Sequence, residues 1–175
     1  MTLDDLGQRI CIMGPSNSGK STLATAIAGA RNLQLIHLDQ LYHRPHTDWE
    51  ARPSHEFIGL HNEALSGERW VMDGNYSHCL PQRLARATGV ILLETPTVIS
   101  LVRYFRRCWF AGHRLGGLEG GQDSVKCSMI HHIAIVTRAN RKRYQAVFDS
   151  VSLPKIQLST PAALAAFYET EQLHR

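Results

Sequence analysis

The residues best suited by type and spacing to do chemistry are Gly14-Pro15-Ser16-Asn17-Ser18-Gly19-Lys20-Ser21. They satisfy G-x-x-x-x-G-K-[ST], the pattern of a loop that holds phosphate. Gly14 and Gly19 can take backbone angles closed to other residues. Such a loop curls so that successive N–H groups converge on phosphate oxygens. Lys20 brings a mobile cation to the β- and γ-phosphates, and the Ser21 hydroxyl is a ligand for Mg²⁺. A helix that opens here, with Thr22 in its first turn, aims its positive end at the same anion. The expected ligands are ATP and Mg²⁺, held along residues 14–22.

Acids at the ends of other strands would complete such a site. Asp73 is expected to end a third strand, where it would hold Mg²⁺ through water or orient an attacking hydroxyl. Asp73-Gly74 is also an ordinary turn signal. Asp39 is expected just after a second strand, as a base for an acceptor hydroxyl or an outer metal-sphere ligand. A cap on the next segment is its alternative. Tyr42, Arg44, Gly74, Asn75, Tyr76 and Arg83 are the expected acceptor contacts, together with Asp39. His43 and His46 have weak metal-ligand spacing, and a solvated or substrate-contacting role suits them better. Glu94 faces the phosphates or pairs with a surface arginine, and the second reading is preferred.

The elements that must position these groups alternate along the chain. Strands are expected at residues 9–14, 33–38, 69–72, 90–93 and 155–158. Helices are expected at 20–30, 54–65, 81–87, 97–110 and 127–148, and a last one opens at Pro161. A loop spans 40–53. Continuous apolar strands between helices suit a buried parallel sheet. The expected fold is a single α/β domain over residues 1–175, a three-layer α/β/α sandwich on a five-stranded parallel sheet. In such folds sites gather at the carboxyl ends of strands, where Gly14, Asp39, Asp73 and Glu94 are expected to converge.

Charge adds a further element. Nine of the 19 basic residues lie between residues 103 and 143, where the only acids are Glu119 and Asp123. Arg103, Arg106 and Arg107 share one helix face, and Arg138, Arg141 and Lys142 share another. Five glycines fall between residues 112 and 122. The arrangement is expected to form a mobile lid over residues 107–138, with Arg103, Arg107 and Arg138 as catalytic cations at the transferring phosphoryl group. A nucleic-acid-binding surface would look similar.

No apolar run approaches the roughly 20 residues that span a membrane. The first eight residues carry two aspartates and no cationic start, so the expected compartment is the cytosol. Four cysteines show no C-x-x-C spacing, so reduced thiols are expected rather than a zinc site or disulfides.

The phosphate loop, Leu38-Asp39-Gln40-Leu41-Tyr42, Trp70-Val71-Met72-Asp73-Gly74-Asn75-Tyr76 and the arginine-bearing helix after Pro96 together resemble the adenylate-kinase-like proteins of the DNA topology modulation (FlaR-type) family. The likeness covers residues 10–158. More distantly the chain is similar to adenylate, shikimate and gluconate kinases. The resemblance implies a P-loop kinase fold of the nucleoside or small-molecule type with a lid insertion. It implies ATP–Mg²⁺ on Lys20 and Ser21, Asp73 as the metal-associated acid, Asp39 facing the acceptor and an acceptor-side segment over residues 40–66. The family tends to carry Asp where this chain has Glu94.

Two functions are therefore expected. The first is phosphoryl transfer from ATP to a small hydroxyl- or phosphate-bearing acceptor, a nucleotide included. The alternative is a nucleotide-hydrolysing regulator that binds nucleic acid or a protein partner. No membrane partner is expected, and the chain is expected to be a monomer or homodimer.

Overall fold

The computed structural model describes residues 1–110, 116, 118 and 127–174. Five strands form one all-parallel sheet: β1 (Arg9–Met13), β2 (Gln34–His37), β3 (Trp70–Asp73), β4 (Gly89–Leu93) and β5 (Lys155–Leu158). Their order is β2-β3-β1-β4-β5. Chain order therefore reverses beside β1, and the crevice beyond its carboxyl end is the expected place for a ligand in an open parallel sheet.

Alternation along the strands builds two cores. Ile10, Ile12, Val71, Ile91 and Leu93 join one buried cluster with Leu23 and Ile27 of α2 (Lys20–Arg31) and Leu164 and Phe167 of α9 (Pro161–Thr170). Leu3 and Leu6, from the short α1 (Leu3–Leu6), belong to the same cluster. Cys11, Met13, Trp70, Met72, Val90 and Leu92 join the other, with Phe57 of α4 (Ser54–Leu65), Leu80 of α5 (Leu80–Arg86) and Phe148 of α8 (Thr137–Ser150). Side chains of successive strand residues point to opposite faces, so each strand feeds both layers. The result is the expected three-layer sandwich. No helix among the described residues is long and apolar enough to cross a membrane.

Several boundaries follow local chemistry. α2 ends at Asn32, whose left-handed φ of 49° suits a helix C-terminus. α9 starts behind Thr160, whose hydroxyl accepts from the Ala163 N–H at 3.0 Å, with Pro161 as the first helical residue.

Two expectations need correction. The second strand stops at His37, and Leu38–Tyr42 forms a short helix, α3, so Asp39 lies in a helical first turn rather than at a strand end, and residues 40–42 are helical rather than loop. Leu38, Leu41 and Tyr42 have i, i+3, i+4 spacing and pack on the second core, which a helical turn permits and an extended chain does not. The expected helix over 127–148 is also interrupted. It comprises α7 (Cys127–His131), a π-helical turn (His132–Val136) and α8. The wide turn re-phases the faces on either side of it, with Ile133 fully buried and Arg141 reaching Thr95. The expected helix at 97–110 is α6 (Thr97–Phe110).

Candidate functional site

The phosphate loop connects β1 to α2, as the motif requires. Gly14 has a φ of 143°, and a Cβ there would lie 2.3 Å from the Leu93 carbonyl oxygen. Only glycine fits such a turn. Pro15, Ser16 and Asn17 carry the loop outward, Asn17 with a φ of 60°, and the Ser18 N–H returns to the Pro15 carbonyl at 3.3 Å. Gly19 caps α2, and Lys20, Ser21 and Thr22 form its first turn.

Each side chain of the motif has a defined position. Lys20 Nζ donates to the Pro15 carbonyl at 2.7 Å, arching over the loop that would enclose phosphate. Ser18 is fully buried, and its hydroxyl has no hydrogen-bond partner among the described residues. A buried orphan hydroxyl is costly, and a phosphate oxygen at the loop would satisfy it. Ser21 Oγ donates to Asp73 Oδ2 at 2.7 Å. Its lone pairs thereby remain available to a cation. Ser21 and Asp73 offer oxygen donors only, which suits a hard ion such as Mg²⁺.

Asp73 is buried at the end of β3, in parallel register with His37 at the end of β2. His37 Nδ1 lies 2.5 Å from Asp73 Oδ1. Burial by itself pushes the Asp73 carboxyl up. The His37 hydrogen bond and charge, the Ser21 hydroxyl and the Lys20 charge outweigh burial and hold the carboxyl below its ordinary value. Asp73 is therefore an ionised acceptor at neutral pH.

The tripeptide after Asp73 joins the phosphate loop to the acceptor side. The Asn75 amide bonds Gly14 twice, accepting from its N–H at 3.2 Å and donating to its carbonyl at 2.8 Å. The Tyr76 hydroxyl donates to Asp39 Oδ1 at 2.7 Å. Beneath them, Arg83 donates to the carbonyls of Gly74 at 2.8 Å, Asn75 at 3.2 Å and Tyr76 at 3.4 Å. Arg83 was expected to touch the acceptor directly. Its side chain is fully enclosed and its guanidinium is occupied by main-chain carbonyls, so it braces the loop instead.

On the acceptor side, Tyr42 packs its ring against Tyr76 at 4.8 Å, His43 at 4.8 Å and Phe57 at 5.2 Å. A short antiparallel bridge, His43 to Ala51, closes the loop between α3 and α4. Arg44 lies 3.9 Å from Glu50 and 3.5 Å from Glu56. His43 Nδ1 bonds the Asp39 carbonyl at 2.9 Å, and no group of three or more metal-ligating side chains stands together among the described residues. Glu94 accepts from the Gln157 amide at 3.0 Å rather than from an arginine.

From the other side, Arg103 donates to the Ser18 carbonyl at 2.8 Å, and the Thr95 hydroxyl reaches the same oxygen at 3.4 Å. Arg141 donates to the Thr95 carbonyl and lies 3.4 Å from the Thr97 hydroxyl. The side chains of Arg107 and Arg138 lie outside the described residues, as do residues 111–115, 117 and 119–126 of the expected lid. Between residues 110 and 127, Gly116 and Leu118 are described. Gly116 is buried with a φ of 70°, and a Cβ on it would lie 2.9 Å from His37 Nδ1 and 3.0 Å from Ser21 Oγ.

Sequence reasoning missed His37, and it weighed Arg141 only as one of a set of lid arginines. For His37 the available signal was its place as the last residue of an apolar strand, the position where Asp73 was noticed.

No protein-family model and no curated protein matches the chain. Among solved structures it is similar to a gluconokinase from Sinorhizobium meliloti 1021, with a TM-score of 0.56 and 16% identity, covering 95% of each chain. It is also similar to the shikimate kinase from Acinetobacter baumannii in complex with shikimate. There the TM-score is 0.58 and the identity 17%, covering 97% of this chain and 94% of that one. Both are P-loop kinases, and the chain has their α/β fold. The narrower likeness to DNA topology modulation proteins rests on the sequence segments alone.

Proposed function

We propose that the chain is an ATP-dependent phosphotransferase that moves the γ-phosphoryl group to a small hydroxyl- or phosphate-bearing acceptor. The observation that carries this reading is the Ser21–Asp73 pair. Its oxygens lie 2.7 Å apart at the head of the helix whose Lys20 arches over the phosphate loop. The fold shared with small-molecule kinases supports it.

The residues divide the work. Backbone N–H groups of the loop after Pro15 and the Ser18 hydroxyl receive phosphate oxygens. Lys20 exchanges the Pro15 carbonyl for the β- and γ-phosphates. Ser21 and Asp73 would hold Mg²⁺, which supplies charge neutralisation when bound. Arg103 sits beside the loop and turns from the Ser18 carbonyl to the transferring group. Asp39, oriented by Tyr76, accepts the proton of an acceptor hydroxyl. The lid residues Arg107 and Arg138 add charge and exclude water on closure.

The test is phosphate transfer from ATP with Mg²⁺ to a panel of hydroxy acids, sugars, nucleosides and nucleotides. One acceptor class should gain phosphate in step with ADP release. Lys20→Ala should lower turnover by at least about 100-fold, with an unchanged circular dichroism spectrum. Wild-type turnover in that variant would sink the mechanism. ADP release that ignores every acceptor but rises with added DNA would favour the regulator instead.

A further inference from the structure

The reaction proposed above makes no use of His37, yet His37 makes the closest contact to the metal-associated acid. We infer that His37 is a positioning residue that fixes the Asp73 carboxylate for the cation, an inference that rests on the nucleotide–metal reading of the site.

The sheet creates this contact. Parallel register sets His37 beside Asp73 on neighbouring strands, and both side chains are buried there. An ionised Asp73 can only accept hydrogen bonds, so the ring proton at this contact is on Nδ1. His37 therefore pins Oδ1 at 2.5 Å, and Ser21 engages Oδ2 at 2.7 Å. With both oxygens held, the carboxylate plane cannot rotate. The main chain of Gly116 closes over the ring, since a Cβ there would come within 2.9 Å of Nδ1. A bond shielded from water in this way is stronger than an exposed one.

Without His37, Oδ1 loses its partner. Lys20, whose charge already bears on Asp73, is the nearby cation toward which the carboxylate would turn. That rotation would spoil the geometry at Ser21 and weaken cation binding while leaving the phosphate loop intact. Partners that orient a metal ligand from behind typically account for about 10–100-fold in metal affinity.

The experiment uses the full chain and three variants, His37→Ala, His37→Asn and His37→Gln. The Asn amide nitrogen is as many bonds from Cα as His Nδ1, whereas the Gln nitrogen is one bond further away. Two readouts besides turnover are needed: Mn²⁺ binding in the presence of ATP, by electron paramagnetic resonance, and binding of a fluorescent ATP analogue without metal. Ala and Gln are expected to weaken Mn²⁺ binding by about 10–100-fold. Asn is expected to restore most of it, and metal-free nucleotide affinity should stay near wild type in all three. Should His37→Ala fail to fold, the contrast between Asn and Gln carries the same information. Wild-type Mn²⁺ affinity in the Ala or Gln variant would overturn the proposal. So would an Asn variant no better than Gln, or a parallel loss of metal-free binding. A wild-type chain without nucleotide-dependent Mn²⁺ binding would overturn the nucleotide–metal reading itself, and the inference with it.

Discussion

The side chain of Asn75 bonds both main-chain groups of Gly14, its Oδ1 receiving the glycine N–H and its Nδ2 donating to the glycine carbonyl. A side-chain amide here does what a neighbouring strand would do, at the point where β1 has ended and the phosphate loop begins. Replacing Asn75 with Ala leaves both groups unpaired in a half-buried place. The expected outcome is a stability loss of about 1–3 kcal/mol and weaker nucleotide binding. Thermal melts and a nucleotide titration check it; unchanged nucleotide affinity would mean that the phosphate loop holds its shape alone.

Arg83 lies one step further from the chemistry. It is fully buried, and its fork serves three successive carbonyls of residues 74–76. Burial pulls its pKa down, against the opposing influence of Cys11, Cys79 and Asp73. Arg83→Ala is expected to cost about 3–5 kcal/mol, from the unpaired carbonyls and the cavity combined. Arg83→Lys should fall between, because an ammonium cannot reproduce a planar fork. Denaturant unfolding measures both, and a neutral Arg83→Ala would remove the bracing role.

The Tyr76 hydroxyl orients Asp39, at 2.7 Å. Tyr76→Phe removes that bond while keeping the ring packed against Tyr42 and Phe57. A hydrogen bond to a charged group contributes about 1.5–3 kcal/mol, so kcat/KM for the acceptor should fall about tenfold or more. Nucleotide binding should not change. Steady-state kinetics with each substrate varied in turn separates the two effects.

His61 is a buried histidine in α4 whose Nε2 has no partner among the described residues. Burial holds its pKa below the ordinary value, the Arg83 charge adds to this, and a hydrogen bond with Asn62 opposes it. The unfolded chain therefore binds a proton at a higher pH than the folded one. Stability is complete above about pH 6.5, the unfolded value, and declines as pH falls below it. His61→Leu should flatten that decline and should not destabilise the protein at pH 7. Melting temperatures of both proteins between pH 5 and 8 decide it; parallel curves would exclude His61 as the source.

The extent of each strand and helix was legible to within a residue or two for most elements, because apolar period and end signals act locally. The motif from Gly14 to Ser21, the acid at Asp73, α6 and α9 are cases in point. Local signals also misled in two places. Residues 38–42, expected as a strand end and the start of a loop, fold as α3, and the helix after residue 127 contains a π turn.

The amino-acid sequence by itself determined that a phosphate loop would sit between a strand and a helix, because its glycines and its Lys-Ser pair act within a single turn of chain. It also determined that a parallel sheet would carry the loop, because apolar strands alternate with helices. Tertiary structure alone decided the partners. His37 meets Asp73 only because β2 pairs with β3 in one register, and Asn75 meets Gly14 only because β3 lies beside β1. Arg83, expected from sequence to contact the acceptor, is drawn inside because three carbonyls of a sharply turning loop need donors there. Contacts between residues dozens of positions apart depend on strand order and register, and no spacing along the chain encodes those directly.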